Sequence, residues 1–316
     1  AVSTLVGRLD DAGVDVRYGT RVNGFVLDDQ GAVTGVTATD YNGSAVEYYG
    51  GHVVLACGGF GDNNDMIVEN WGVGYDGLVY GGAKGMDGTM LNAAVALGAD
   101  TVDMDDPHID ATLEVTKGIT ITTNLLRNCG GILIRQSTGA RFADEQSSHS
   151  EIAAAAMHDL GDEYYYEIFD NSAFDYSEAV STKVQAYIDM NLTTEYESIE
   201  AMAAGIGVDA AVLTRTMEDY NAAVRGETAD PFGRERFFHE LSAPYYVMKV
   251  SNGVACTTGG LKVDEQMRVI DTEGNPIGNL YAIGEISGGY RIHYVGGDSL
   301  SRSGISGMLI GRQLTE

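Results

Sequence analysis

The sequence is poor in positive charge. Against 46 acidic side chains it sets 19 lysines and arginines, a formal net charge of −27 over 316 residues. That balance opposes binding to nucleic-acid phosphates or to an anionic membrane surface, and an anionic small molecule would need the few arginines gathered in one pocket. Cysteine is scarce too. Cys57, Cys129 and Cys256 form an odd set without C-x-x-C or metal-ligand spacing, so neither a disulfide framework nor a metal is supported. No apolar run approaches the roughly 18 residues of a membrane span, and the opening AVSTLVGRLDDAG lacks the regions of a signal peptide. A soluble chain is expected, cytoplasmic or exported. It opens without Met inside an amphipathic helical pattern, so a processed chain, a fragment or one half of a split protein is expected.

The length exceeds a usual single core, and 44% apolar residues can supply two. Residues 1–60 read as helix, strand, hairpin and strand, the last ending abruptly in Gly58 and Gly59 after the apolar run Val53, Val54, Leu55. A buried parallel strand delivers its chain to a ligand crevice in this way. The segment GAKGMDGTMLNAAVALGAD then enters a helix near Thr89. From about 101 to 250 the pattern turns helical, acidic and Tyr-rich, with two helices expected in TTEYESIEAMAAGIGVDAAVLTRTMEDYNAAVRG. Thr193 or Thr194 and Asp209 are the expected N-caps. Strand and Gly-turn patterns return at 251–316 before a last helix near Ser299. The expected fold is α/β, with a discontinuous domain at 1–100 and 251–316 interrupted by a domain at 101–250.

Five glycines fall in GEISGGYRIHYVGGDSL, residues 284–300, between an apolar strand and that helix. Gly pairs in loops serve as turns, but they also let a flat ligand lie against backbone, and a helix N-terminus stabilises negative charge. The segments VVLACGGFGDN, GMDGTMLNAAVALGAD, GGILIRQSTGARFADE, TTGGLKVDEQMRVIDTEGNPIGNLYAIGEISGG and GGDSL together decide between these uses. The chain resembles the flavoprotein subunits of the fumarate reductase and succinate dehydrogenase superfamily, in particular the soluble fumarate reductase, urocanate reductase and 3-ketosteroid dehydrogenase branch.

That resemblance implies FAD in a Rossmann-like domain, incomplete at its N-terminus, with an inserted α+β capping domain over a small unsaturated substrate. The strand and GxGxxG turn that grips the FAD pyrophosphate in the superfamily does not occur before residue 57 here. A second polypeptide supplying that unit is therefore expected, and an electron-donor protein or domain is compatible with the family. By the resemblance, Val22 touches adenine, Ala56, Gly58 and Gly59 line the ribose and diphosphate, and Asp87 and Gly88 lie toward the ribityl and isoalloxazine. Glu285 bonds the ribose, and Ser299 and Leu300 present N–H groups to the flavin O2. From sequence alone, Asp87 reads equally as a turn former and Glu285 as a solvated loop carboxylate.

For catalysis the resemblance maps Arg127 onto an arginine of the proton-delivery chain, and the proton-donor arginine onto His149 in RFADEQSSHSE. A substrate-binding histidine maps loosely onto His108, another onto Cys256 in ACTTGG, and a substrate-clamping arginine onto Tyr294, beside His293. Losing a bidentate Arg–carboxylate pair removes roughly 1.5–3 kcal/mol of charge-assisted bonding, which disfavours a dicarboxylate substrate. A tyrosine or histidine can instead protonate a carbanion. The expected reaction is reduction of an enone or acrylate-type alkene other than fumarate, by hydride from FAD N5 and a proton from Tyr294 or His149. The alternatives are a desaturase resembling 3-ketosteroid dehydrogenase and a non-catalytic subunit of a split flavoprotein. His149 reads also as part of a Ser-rich helix start and Cys256 as a small core filler, whereas Arg127, between leucine and a Gly-rich strand, is costly to bury without a partner.

Overall fold

A computed structural model describes residues 2–115, 124–159, 164–289 and 297–315. The chain divides into two compact units, one of residues 1–66, 86–106 and 257–316, the other of 67–85 and 107–256. Among the described residues no helix is long and apolar enough to cross a membrane.

Local turn chemistry shapes the first unit. Strands Arg21–Leu27, Val33–Thr39 and Ala45–Tyr49 form an antiparallel meander, so the expected hairpin gains a third strand. Its two turns, DDQGA and DYNGS, use one device. The carboxylates of Asp28 and Asp40 each accept backbone N–H groups two and four residues on, at 2.8–2.9 Å. DTEGN repeats it through Asp271 before strand Pro276–Ala282. An aspartate side chain that mimics a backbone turn fixes each reversal from within five residues.

Strand Val53–Leu55 runs parallel to Pro276–Ala282, with Val53 opposite Leu280 and Leu55 opposite Ala282. The two carboxyl ends therefore lie side by side, and each runs into a glycine turn, Gly58–Gly59 and Gly284–Glu285. Helix Thr89–Ala96 follows a turn at Gly88, and helix Asp298–Thr315 begins just past Gly297.

The second unit is a six-stranded sheet centred on Tyr245–Val254. One sheet face, with Ile132, Ile134, Tyr166, Ile168, Tyr245 and Val247, packs on Met202, Leu213, Met217 and Tyr220 of helices Ile199–Ile206 and Ala210–Val224. Both helices occur as expected, and Asp209 caps the second by accepting from the N–H of Ala211 and Val212. The Thr193 or Thr194 cap is corrected: Thr193–Tyr196 is a strand paired with Tyr245–Met248, and Ser198 caps the helix by accepting from Ala201 N. Cross-strand pairing satisfies the threonines' backbone groups better than a helix end would.

Candidate functional site

In the first unit the site is built mainly from backbone. Gly58 sits at φ +77°, and a Cβ on it would come within 2.6 Å of Met86 Sδ. A Cβ on Gly59 would lie 1.9 Å from Thr257 Oγ1 and 2.5 Å from Glu285 Oε1. Glycine at 59 thus leaves room for a carboxylate to lie flat against the chain. Glu285 Oε1 accepts from Thr257 N at 2.8 Å and from Thr257 Oγ1 at 3.0 Å. Burial pushes the Glu285 carboxyl up, against the hydrogen bonds from Thr257 and Gly59. The reading of Glu285 as a solvated loop carboxylate is therefore corrected.

Asp87 ties the turn before the next helix to the first strand. Its Oδ1 accepts from Thr89 N and Oγ1 at the start of helix Thr89–Ala96, and its Oδ2 pairs with Arg21 Nη2 at 2.5 Å. Burial opposes ionisation, but the Arg21 and Thr89 bonds outweigh it and hold the carboxyl at about 2. Gly88 is the left-handed cap of that helix. Val22 and Ala56 line a cavity of about 430 Å³ with Val36, Val54, Cys57 and Met90. Ser299 is half-buried in the first turn of the last helix, whereas the Leu300 side chain is 79% exposed. The apolar slot, the backbone cradle at Gly59 and the carboxylate beside it suit a nucleotide cofactor: a flat base, a phosphate-bearing chain and a ribose diol.

In the second unit the site is built from buried side chains. Arg127, in the short helix Asn124–Asn128, is 4% exposed. Its Nη1 donates to Glu145 O at 2.8 Å, its Nη2 lies 3.5 Å from His149 Nε2, and its buried Nε has no hydrogen-bond partner among the described residues. His149 opens helix His149–Asp159. It does not cap that helix, because Ser148 and Glu151 do so reciprocally: Ser148 N and Oγ donate to Glu151 Oε2, and Glu151 N donates to Ser148 Oγ. The imidazole is thus released from the helix start to face Arg127 on one side and Asp110 on the other, with Nδ1 3.2 Å from Asp110 Oδ1. His108 is buried in the loop before strand Asp110–Glu114 and lies within electrostatic reach of Asp110. Burial would raise the Asp110 carboxyl, yet the charges of His149 and His108 and the Thr112 N–H hold it below the usual carboxylate range. Cys256 is half-buried just past strand Tyr245–Val254. His293 and Tyr294 lie outside the described residues.

Two features escape the sequence reading. The first is Asp110, whose only trace in the sequence is an acid between Ile109 and Ala111 in HIDATLEV. The second is an ionic network around the fully buried Glu145. Its carboxylate accepts from Arg141 Nε and Nη2 at 2.8 and 2.7 Å, from Arg234 Nη1 at 2.9 Å and from Leu133 N at 3.1 Å. Arg141 also pairs with Asp230. Since Glu145 O holds Arg127 Nη1 and Arg234 Nη2 reaches Arg127 O at 3.4 Å, the network fixes Arg127. The i,i+4 spacing of Arg141 and Glu145 in ARFADE is its only local trace.

Residues 1–299 match the family described as FAD binding domain. The chain is 29% identical to the NADH:fumarate oxidoreductase of Klebsiella pneumoniae (strain 342), over 99% of this chain and 33% of that protein. It is 25% identical to the urocanate reductase of Eggerthella lenta, over 92% of this chain and 48% of that protein. The structure of the open conformation of a flavocytochrome c3 fumarate reductase superposes with a TM-score of 0.83 at 25% identity, covering 98% of this chain and 54% of that one. The chain thus spans from about a third to about half of the proteins it matches. With a backbone cradle suited to the cofactor and a family match across nearly its full length, the chain belongs to the FAD-dependent flavoprotein superfamily of the fumarate reductases and succinate dehydrogenases.

Proposed function

We propose that this chain is part of an FAD-dependent reductase of an activated C=C bond, an enone or acrylate-type alkene other than fumarate. Bound and reduced, FAD supplies a hydride to one alkene carbon. The observation that carries the reading is the trio Arg127, His149 and Asp110, a buried cation and a half-buried imidazole held together over a carboxylate. Arg127 stabilises negative charge on the substrate's carbonyl or carboxyl oxygen as the alkene is reduced. His149 gives a proton to the neighbouring carbon, and Tyr294 is the second candidate donor. His108, Cys256 and His293 contribute to substrate binding. Cys256 and Tyr294 stand where the resemblance expects a histidine and an arginine, so a second carboxylate lacks its clamp and one activating group suffices.

The first unit serves as the FAD-binding domain and the second as the capping or substrate domain. Val22 meets adenine, Ala56, Gly58, Gly59 and Glu285 hold the ribose and diphosphate, Asp87 and Gly88 the ribityl side, and Ser299 and Leu300 offer N–H groups to the flavin. In this reading a second polypeptide supplies a GxGxxG unit, and a donor protein or domain supplies the electrons.

The test is spectroscopic. Protein isolated with its flavin is reduced anaerobically with dithionite and mixed with enones, acrylates and fumarate. Reoxidation by one class of conjugated alkene, and not by fumarate, is expected. His149→Ala and Tyr294→Phe then identify the donor, whose loss slows turnover by about 10²–10⁴-fold. Full turnover in both variants would overturn the assignment.

A further inference from the structure

We propose that Asp110 is a positioning residue that selects the tautomer of His149, so that Nε2 is the atom that exchanges a proton with the substrate. The inference rests on His149 acting as the donor. It starts from placement: Asp110 opens strand Asp110–Glu114, is 6% exposed, and sits between the buried Ile109 and Ala111. An ionised carboxylate there is costly unless it is paired.

The two ring nitrogens of His149 meet opposite surroundings. Nδ1 is buried without a well-aligned hydrogen bond, and the carboxylate oxygen of Asp110 is 3.2 Å away, within reach of a small ring rotation. Nε2 lies 3.5 Å from Arg127 Nη2, a group with hydrogens to offer and no lone pair. An acceptor beside Nδ1 and a donor beside Nε2 ask for the same neutral ring, with its proton on Nδ1 and its lone pair on Nε2. A second proton then arrives at Nε2 and leaves from Nε2. In the reaction the imidazolium Nε2–H bond breaks, the proton forms a C–H bond at the carbanionic carbon, and the neutral Nδ1–H ring remains between its two neighbours. Among the described residues, the charged and titratable groups around the pair include Arg127 on the short helix Asn124–Asn128, His108 before the strand, and Tyr165 and Glu167 on strand Tyr165–Asp170.

The experiment is a long-range ¹H–¹⁵N correlation spectrum of the histidine side chains in the full, ¹⁵N-labelled protein, with His149 assigned by His149→Gln. As a neutral ring, His149 is expected as the Nδ1–H tautomer. Asp110→Ala, which leaves Arg127 beside Nε2, moves a share of the ring to Nε2–H, the form a free histidine side chain favours, and Asp110→Asn does the same because its amide N–H can donate to Nδ1. With the preferred alkene, Asp110→Ala lowers kcat by about 10²–10⁴-fold and leaves KM little changed. An Nε2–H ring in the unsubstituted protein, or an Nδ1–H ring that persists in Asp110→Ala, overturns the inference. If Asp110→Ala does not fold, Asp110→Asn, which keeps the shape of the side chain, takes its place. A shifted tautomer with unchanged kcat removes His149 from the chemistry, which is a failure of the functional reading and of the role given to Nε2, not of the contact with Asp110.

Discussion

The two units solve the same problem, holding polar groups close together, by opposite means. In the unit of Gly59 and Glu285 the side chain at 59 is removed, and a carboxylate is satisfied by the backbone and hydroxyl of one threonine. In the unit of Arg127 and His149, the buried Glu145 carboxylate is shared by Arg141 and Arg234, and its backbone oxygen accepts from Arg127. The first arrangement tolerates charge changes and resists added volume. The second resists charge changes, because each ion is buried against a partner that would be orphaned.

The sharpest break of this contrast is Glu145→Ala. It leaves Arg141 and Arg234 short of their shared carboxylate, and a loss of about 3–5 kcal/mol is expected in a urea titration. A loss below 1 kcal/mol would mean that the network is solvated and the contrast false. Next comes Gly59→Ala, whose methyl group must displace Thr257 Oγ1 and Glu285 Oε1. Overpacking of about 1–3 kcal/mol, if carried wholly by the bound state, corresponds to roughly a 5- to 150-fold weakening of flavin retention, read from the visible absorbance per protein.

Acid titration sharpens the comparison within the first unit, because its two carboxylates shift in opposite directions. Asp87 is depressed to about 2, so its stabilisation is present above about pH 4 and is lost as the pH falls toward 2. Arg21 is exposed, which reduces that contribution to about 1 kcal/mol, and Asp87→Asn forfeits it at neutral pH. Glu285 is raised, so its contribution is present below the unfolded carboxyl range and is lost as the pH rises through the folded value. In flavin-free protein, Glu285→Gln is therefore expected to be as stable as the parent or more so at neutral pH, with no such gain in acid. Denaturation midpoints at both pH values check the two signs. The smallest effect belongs to Gly304→Ala in the last helix, where a Cβ meets nothing within 4 Å. It should stabilise by about 0.5–1 kcal/mol, measured as a small rise in Tm.

What the sequence made legible follows the same division. Asp28, Asp40 and Asp271 announce their turns because donor and acceptor lie within five residues, and Asp209 announces a cap for the same reason. Glycines before helices point to a ligand approaching the backbone, and that part of the candidate site was visible. Thr193 and Thr194 mislead because their strand is set by Tyr245–Met248, far away in the chain. Asp110 stays hidden since its meaning depends on His149, which a different element delivers. Glu145 likewise takes Arg234 from 89 positions on. Pairing at such distances leaves no periodicity to read.

The parallel pairing of Val53–Leu55 with Pro276–Ala282 has a consequence for synthesis. The earlier strand leaves the ribosome long before its partner exists, so the sheet that carries Gly58 and Gly59 cannot close until residues 280–282 have been made. Residues 107–256, nearly all of the second unit, are contiguous and can collapse meanwhile. Closing so large a loop costs only slowly growing entropy but delays the fold. Nascent chains halted before residue 276 should therefore protect the second unit from protease while the meander's neighbouring strand remains cleavable, a sequence of events written by connectivity alone.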